Sequence, residues 1–410
     1  MIRILLAVFA LVAAPVLAQD AAAPGTTGGA VALLSPAEGE TITQVPECQR
    51  SILALPTYEK RIELLRADRA NKCARFNNDG TWMKGDPLVL KWKPAKTEGV
   101  GPWKIEIGKK RDLSDARCWF AKVQWKESGK GKGDWTVEYE VPYANLEIAT
   151  TFHWRVTQYA ESLKVIDKSP VGTFKTADIA PRWINIRGRA VNIRDLGGRK
   201  TADGKFRVRQ GMLYRGQGLN DNSVTGEKAG ENRLTVTDVE YFTKTLGIRT
   251  DLDLRGPVET ADLEVSPLGP SVKLVKIPSA QYYGLFVNGK KSFAEDFRLM
   301  LDETNYPIYF HCIAGADRTG TLAYVLNGLL GVERGELEAD WELTMYPHSL
   351  TDAKQPEFKD ERKLGIDRGL MLYGDEDTPW NRRIELYALS AGITPEEIAK
   401  FRAIMLEPAE

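Results

Sequence analysis

The sequence predicts an all-β sandwich followed by an α/β domain. Two observations carry this prediction. Before residue 177, short segments alternate apolar and polar residues and are rich in Trp and Tyr, which is typical of half-buried strands. After residue 300, a short apolar run leads through a loop of small residues into a segment with helical apolar spacing. The length of 410 residues suits two or three domains, and the 43% hydrophobic content is enough to bury a full core.

Residues 1–18 have the composition of a signal peptide. Arg3 precedes an almost wholly apolar run over residues 4–12, and small residues that end at Ala18 supply a cleavage point. The run is too short to span a membrane comfortably, and no later segment resembles a membrane span. We therefore expect a periplasmic or secreted protein without an integral membrane segment, in which residues 19–31 form a flexible lead-in.

Export would also change how the cysteines are interpreted. Cys48, Cys73 and Cys118 precede the α/β region, and an oxidising compartment would permit one disulfide among them. The pairing stays open at this point, with Cys48 and Cys73 favoured. The fourth cysteine, Cys312, would have to remain reduced in order to react.

Five alternating segments with turns between them predict the sandwich. They are residues 87–92, 103–107, 136–141, 151–156 and 172–176. Residues 146–156 resemble the penultimate strand of a fibronectin type III domain, and Trp92 resembles its early core tryptophan. The resemblance covers residues 32–178 and implies a fibronectin III or immunoglobulin-like sandwich, which could bind a surface or a protein ligand. A helical insertion is expected over residues 58–74, where the apolar spacing departs from the strand pattern.

Residues 311–320 are the most informative stretch, because they place a thiol in a small-residue loop that opens a helix. Residues 306–310 are expected to form a buried strand, and residues 319–330 a helix that stops at Gly331. Backbone N–H groups and the positive end of the helix dipole would then meet at one place. This arrangement predicts phosphate transfer with Cys312 as the nucleophile.

Each residue type in this loop has a chemical reason. The helix N-terminus and Arg318 would favour the thiolate of Cys312. Arg318 offers a planar fork of donors that can hold two phosphate oxygens at once. Thr319 can donate its hydroxyl to the thiolate, and Gly315 lets the backbone bend close to the anion. His311 is expected to hold the loop through hydrogen bonds rather than to act as a base.

The stretch resembles the Cys-x5-Arg-Ser/Thr signature of cysteine-based tyrosine and dual-specificity protein phosphatases. Its Asp-Arg-Thr-Gly ending is similar to the bacterial tyrosine/lipid phosphatase branch. Further motifs follow the order found in that branch, at residues 192–198, 211–216, 247–255 and 340–341. The resemblance covers residues 181–410. It implies an α/β domain with a central, mainly parallel sheet flanked by helices, a phosphocysteine intermediate, and neither a metal nor another cofactor.

The resemblance also implies roles for individual residues. Asp317 is the expected general acid and base, although it could instead be only an N-cap, and Asp253 is the reserve candidate. Phosphate would be bound by the backbone of Ile313, Ala314, Gly315 and Ala316 together with the side chain of Arg318. Supporting positions near the pocket are His311, Asp253, Arg255, Asp195 and Arg194. For Arg255 and Asp195 a structural role is equally expected, and Asp340 is expected to be a buried hydrogen-bond partner.

The resemblance implies a phosphorylated protein or a small phosphomonoester as substrate, with phosphotyrosine favoured. Lipid-active relatives usually carry Lys where this chain has Ala316, so a phosphoinositide or inositol phosphate is the alternative. A second alternative is a binding protein, in which the sandwich recognises a surface while the phosphatase-like domain captures phosphorylated ligands without turnover.

Composition limits the other classes of function. Lys and Arg together number 56, as do Asp and Glu, and this balance argues against a general nucleic-acid binder. Only three histidines are present, so a histidine-rich metal centre is not expected.

Overall fold

The computed structural model describes residues 30–67, 84–97, 100–122, 126–127, 135–221, 231–260, 263–351 and 365–409. The expected signal peptide and almost all of the lead-in lie outside the described residues, as does the second half of the expected helical insertion. Within the described ranges, no helix has both the length and the apolar character needed to cross a membrane.

The N-terminal part consists mainly of strands. They are β1 (Ala32–Ser35), β2 (Glu40–Ile42), β3 (Leu88–Lys93), β4 (Val100–Gly108), β5 (Arg117–Ala121), β6 (Lys126–Glu127), β7 (Trp135–Val141), β8 (Thr151–Ala160), β9 (Val165–Lys168) and β10 (Gly172–Thr176). One sheet has the order β1-β3-β7-β6, and the other has the order β2-β10-β8-β4-β5 with β9 paired to β8. Neighbouring strands are antiparallel except β2 and β10, which are parallel.

The two sheets bury a common core. Trp92 of β3, Trp103 of β4 and Trp154 of β8 are each 0% exposed, and the first two rings meet edge to face with centroids 5.4 Å apart. Apolar residues at every second position of β3 produce this burial. All five segments predicted as strands are strands. The prediction missed β1, β2, β5, β6 and β9, which are short or lack a clear alternation.

Two helices precede β3, namely α1 (Glu47–Leu53) and α2 (Tyr58–Ala67). The second lies within the expected helical insertion. On α1, Cys48 is disulfide-bonded, whereas Cys118 and Cys312 carry free thiols. Cys73, the expected partner of Cys48, lies outside the described residues.

The C-terminal part contains a five-stranded sheet. Its strands and those of a separate pair are β11 (Arg194–Asp195), β12 (Phe206–Val208), β13 (Leu213–Gln217), β14 (Thr250–Asp253), β15 (Lys273–Lys276), β16 (Ile308–Cys312) and β17 (Leu406–Pro408). The sheet order is β11-β13-β16-β14-β15, and β12 pairs with β17. All pairs in the large sheet are parallel except β11 with β13. Cys312 thus ends the central strand, at the carboxyl edge where parallel sheets bind ligands.

Helices and short turns connect these strands. They are α3 (Val236–Glu240), a π-helical turn (Tyr241–Thr245), a 3-10 turn (Pro257–Glu259), α4 (Tyr283–Val287), α5 (Lys290–Leu299), a second 3-10 turn (Glu303–Asn305), α6 (Asp317–Leu329), α7 (Arg334–Thr351), α8 (Trp380–Ser390) and α9 (Pro395–Met405). The central strand sends Ile308 and Phe310 into a core with α5 to α9. It sends Tyr309 into a second core that includes the π-helical turn. The expected mainly parallel sheet with flanking helices is therefore present.

The two parts of the chain contact each other through buried polar groups. Asn145, which follows β7, donates to the Asn185 carbonyl at 3.0 Å and to the Tyr241 hydroxyl at 2.9 Å. On α2, the Arg61 guanidinium donates to both carboxylate oxygens of Glu342 on α7, at 2.6 and 2.9 Å. The division at residues 178–181 stays a prediction.

Candidate active site

The loop between β16 and α6 forms a tight turn around the end of the central strand. Gly315 has a φ of +68°, and a Cβ atom at this position would lie 2.3 Å from the carbonyl of Gly216. Only glycine fits there. Among the described residues, the backbone N–H groups of Ile313, Ala314 and Ala316 donate to no protein acceptor. Together with the N-terminus of α6, these groups are suited to hold an anion.

Cys312 is 1% exposed and lies at the base of this loop. Burial opposes ionisation of its thiol. The hydroxyl and backbone N–H of Thr319, the positive charge of Arg318 and the backbone N–H of Gly315 outweigh burial, and the pKa of the Cys312 thiol is lowered. A thiol with a lowered pKa in an anion-binding loop is chemically equipped to be a nucleophile.

Arg318 is paired with a residue that the sequence analysis did not single out. Its Nη1 donates to Oε2 of Glu259 at 2.5 Å, and its Nη2 donates to Oε1 at 2.8 Å. Glu259 also accepts the N–H of Gly256 at 2.7 Å. The Nε of Arg318 is buried and has no protein partner among the described residues. The pair therefore fixes the guanidinium and leaves the buried Nε–H available to an anion.

Asp317 is the first residue of α6, whose N-cap is Ala316. The structure therefore does not support a role as N-cap for Asp317. The Tyr282 hydroxyl donates to Oδ1 of Asp317. Tyr282 has a φ of +52° and a ψ of −135°, a conformation that costs a residue with a side chain about 1–3 kcal/mol. Sequence reasoning missed Tyr282, since nothing in a sequence marks a strained tyrosine.

Asp340 on α7 binds three buried arginines, of which Arg215 contacts the loop directly. Its Oδ1 accepts from Arg194 at 2.9 Å and from Arg199 at 3.1 Å, and its Oδ2 accepts from Arg215 at 2.8 Å. Burial favours the neutral carboxyl, but the three guanidinium groups hold the pKa of Asp340 well below its usual range. Arg215 in turn donates to the carbonyl of Gly315 at 2.7 Å.

Asn192 provides a second anchor for the loop. Its Nδ2 donates to the carbonyls of Ala314 and Gly315, each at 3.1 Å, and its Oδ1 accepts from Arg194. Arg194 is thus a supporting residue that acts through Asn192 and Asp340. Because the loop carbonyls are bound from behind, the loop N–H groups are free to bind an anion.

His311 is held by acidic residues on β14. Its Nε2 lies 2.9 Å from Oδ1 of Asp251, and its Nδ1 lies 3.3 Å from the carbonyl of Cys312. Burial acts to lower the pKa of His311, but Asp253 and Asp251 raise it. The ring is 0% exposed. This placement fits the expected loop-holding role and leaves no room for action as a base on a substrate.

Asp253 and Arg255 form a closed buried pair. The Arg255 Nε donates to Oδ1 of Asp253 at 2.9 Å and its Nη2 to Oδ2 at 2.7 Å. Burial acts to raise the pKa of Asp253, but His311 and Arg255 lower it. A buried, paired carboxylate of low pKa cannot deliver a proton to a leaving group, so the structure does not support Asp253 as the reserve acid.

Asp195 binds backbone N–H groups and a neighbouring arginine. It accepts the N–H groups of Gly197 at 2.9 Å and Gly211 at 2.6 Å, and pairs with Arg182 at 3.2 Å. The structural alternative therefore fits Asp195. Among the described residues, no cluster of three or more His, Cys, Asp or Glu side chains could hold a metal ion.

The fold and this loop define an α/β domain that places a thiol in an anion-binding loop at the end of its central strand. The sequence profile of the tyrosine phosphatase family matches residues 187–407, which is more than half of the chain. The chain belongs to the tyrosine phosphatase family.

Individual relatives are more distant. A Cupriavidus necator protein with the provisional name of tyrosine-protein phosphatase is 28% identical over 195 residues, and the match covers 40% of this chain and 66% of the relative. The chain thus spans slightly less than two thirds of that protein. Two solved structures of the Siw14 catalytic core, one titled a PP-IP phosphatase from S. cerevisiae in complex with citrate, are 15% and 14% identical. Each covers 38% of this chain, and the matches span 89% and 88% of those chains with TM-scores of 0.23 and 0.24, which are too low to support an argument.

Proposed function

We propose that this protein is an exported phosphatase that hydrolyses phosphotyrosine in proteins through a phosphocysteine intermediate on Cys312. The observation that carries the proposal is the lowered pKa of the buried Cys312 thiol in a loop whose N–H groups and Arg318 are arranged for an anion. An inert structural cysteine would have a pKa raised by burial.

In the first step, the thiolate of Cys312 attacks phosphorus and the bond from phosphorus to the phenolic oxygen breaks. Asp317 donates its proton to the departing oxygen, so tyrosine leaves neutral. Arg318 and the loop N–H groups stabilise the charge on the three phosphoryl oxygens. Glu259 keeps the Arg318 guanidinium in place through both of its oxygens.

In the second step, a water molecule attacks the phosphorus of the phosphocysteine. Asp317, now ionised, takes the proton from that water, and the bond between sulfur and phosphorus breaks. Inorganic phosphate forms, and the electron pair returns to sulfur as the thiolate. The Thr319 hydroxyl and the N–H of Gly315, which lower the pKa of Cys312, also make the thiolate a better leaving group.

The surroundings of the loop favour phosphotyrosine. Ala316 is buried and uncharged, so this position supplies no cation for a polyphosphorylated headgroup. Two apolar residues next to site residues are exposed, namely Val258 beside Glu259 at 77% and Tyr283 beside Tyr282 at 45%. Such residues suit an aromatic ester in a peptide better than a highly charged inositol ring.

The proposal also includes export of the protein and a binding role for its N-terminal part. The disulfide at Cys48 supports an oxidising compartment, the periplasm or the exterior. The two facing sheets with a common core support a fibronectin type III-like sandwich. We assign to this sandwich a surface or protein ligand that brings the catalytic domain to its substrates.

The test is metal-free hydrolysis, under reducing conditions, of a phosphotyrosine peptide, a phosphoserine peptide and a phosphoinositide. Wild type is compared with Cys312→Ser and Asp317→Asn. Cys118→Ser is the matched control, because Cys118 is the exposed free thiol of the sandwich. We expect phosphotyrosine to be preferred, Cys312→Ser to abolish turnover and Cys118→Ser to retain it.

The other results would each overturn part of the proposal. Preference for the phosphoinositide would replace the substrate while keeping the chemistry. Binding of the phosphopeptide without turnover in wild type would replace the enzyme by a binding protein. Turnover that persists in Cys312→Ser would exclude the phosphocysteine route.

A further inference from the structure

We infer that Tyr282 is a positioning residue for Asp317, and that its hydroxyl holds the carboxyl group where it can protonate the leaving oxygen. The inference rests on the proposed function, because it requires Asp317 to be the general acid. It depends on the contacts and the backbone conformation of Tyr282.

Tyr282 makes hydrogen bonds to the N-terminal part of α6 through both its side chain and its backbone. Its hydroxyl donates to Oδ1 of Asp317, and its backbone N–H donates to Oγ1 of Thr321 at 3.1 Å. The Thr321 hydroxyl in turn donates to the carbonyl of Asp317 at 2.7 Å. These three hydrogen bonds fix Tyr282, which directly precedes α4, relative to the proposed acid Asp317.

The backbone of Tyr282 is strained, and packing maintains the strain. A φ of +52° belongs to the left-handed region that favours glycine. The ring lies edge to face against Trp341, with centroids 6.3 Å apart, and Trp341 lies close enough to Gly320 that a Cβ there would be 3.0 Å from its ring. Strain that is retained beside a reacting group points to a function for the strained residue.

The chemical consequence is specific. Without the phenol, the Asp317 carboxyl loses the contact that Tyr282 supplies, and staggered rotamers that do not bring the acid to the leaving oxygen become more populated. A poor leaving group needs that proton, whereas a good one departs as an anion. Loss of the Tyr282 hydroxyl should therefore slow only those substrates whose leaving group must be protonated.

The experiment measures kcat/KM on a series of aryl phosphates, from 2,4-dinitrophenyl phosphate to phenyl phosphate. Tyr282→Phe keeps the ring on Trp341 and removes only the hydroxyl. We expect it to lose about tenfold on phenyl phosphate and less than about twofold on the dinitrophenyl ester. Added to Asp317→Asn, it should cause no further loss. Tyr159→Phe, the same change on β8 of the N-terminal part, is the matched control and should retain wild-type values.

The contrary results are distinguishable. An equal loss on every ester, or a loss that adds to that of Asp317→Asn, would show a purely structural role and overturn the inference. If the loss of kcat/KM depended on the leaving group in Asp317→Asn but not in Tyr282→Phe, the inference would be overturned and the proposed function would stand. If Asp317→Asn showed no such dependence, the acid assignment and the inference would both fall. Thr321→Val removes the hydroxyl that links the Tyr282 N–H to the Asp317 carbonyl. It should lower kcat/KM less than Tyr282→Phe does, and again mainly on esters with poor leaving groups. If Thr321→Val caused no such loss, that result would also count against the inference.

Discussion

The Arg318 guanidinium is held by both carboxylate oxygens of Glu259, at 2.5 and 2.8 Å. The two residues are 59 positions apart, and the short turn that carries Glu259 follows β14, next to the central strand. The hydrogen bonds from Arg318 also lower the pKa of Glu259, so this carboxylate stays ionised in the neutral range. The pair places the guanidinium before any substrate arrives.

Glu259→Gln should lower kcat/KM on a phosphotyrosine peptide by roughly tenfold to a hundredfold, which corresponds to about 1.4–2.8 kcal/mol of transition-state stabilisation. The amide offers one acceptor where the carboxylate offered two, so Arg318 loses its fixed orientation. Steady-state kinetics check this. Glu264→Gln changes an exposed glutamate shortly after the same turn and should be neutral. Equal effects of the two substitutions would contradict the role of Glu259.

The lowered pKa of Cys312 makes alkylation by iodoacetate depend on pH. In a Cys118→Ser background, inactivation should stay fast at neutral pH and be lost only as the pH falls through the lowered pKa of Cys312, because the thiolate is the reactive form. Thr319→Ala should move the midpoint upward, since the Thr319 hydroxyl favours the thiolate.

Cys118 provides the comparison. The residue is exposed overall, but partial burial of its thiol group raises the pKa of that thiol. Its alkylation in a Cys312→Ser background should need a higher pH. Inorganic phosphate should protect Cys312 and not Cys118. A Cys312 midpoint at or above that of Cys118 would argue against an activated nucleophile.

Asp340→Asn should destabilise the fold by roughly 3–5 kcal/mol, because it leaves buried arginines without their counter-charge. Since the folded-state pKa of Asp340 is depressed, its contribution is complete above the unfolded value of about 3.9 and is lost as the pH falls from there towards the folded value. The difference in the free energy of unfolding between wild type and Asp340→Asn, measured by denaturant titration, should therefore become smaller as the pH falls into the acid range.

The matched control is Asp377→Asn, which changes an exposed aspartate and should leave stability unchanged. The loop should also loosen in Asp340→Asn, because Arg215 ties Asp340 to the carbonyl of Gly315. Wild-type stability and activity in Asp340→Asn would show that the arginine network does not hold the loop.

Gly315→Ala should abolish activity because a Cβ atom would meet the Gly216 carbonyl at 2.3 Å. Gly204→Ala is a close control, since Gly204 has a similar φ of +70° with nothing within 4 Å of its Cβ position. In both variants an alanine must adopt a positive φ, which lowers the stability of the fold by about 1 kcal/mol. Only Gly315→Ala should lose turnover. Equal activity of the two variants would mean that the loop is not tightly packed.

The local parts of this site could be predicted from the sequence. The loop around Cys312 and α6 follow from a contiguous run of residues, although the helix begins at Asp317 rather than at Thr319. The strands of the sandwich that alternate clearly were found for the same reason. Local periodicity is visible in a sequence.

Contacts between distant segments could not be predicted. Glu259 lies in a short turn that has no periodicity, and Asn192 reaches a loop 122 positions away. Tyr282 carries no mark of its positive φ in the sequence. Asp253, the reserve candidate for the acid, is the converse case, because its position in a family motif gave no sign of its pairing with Arg255. These relationships are created by sheet order, which the sequence alone does not reveal.

The central claim is a covalent phosphocysteine on Cys312, and acid quenching during turnover of a phosphotyrosine peptide tests it most directly. After proteolysis, mass spectrometry locates the phosphoryl group. We predict the group on the Cys312 peptide of wild type and a larger amount in Thr319→Ala, whose thiolate leaves more slowly. A turning-over enzyme with no phosphoryl group on Cys312, or with the group on another residue, would contradict the account.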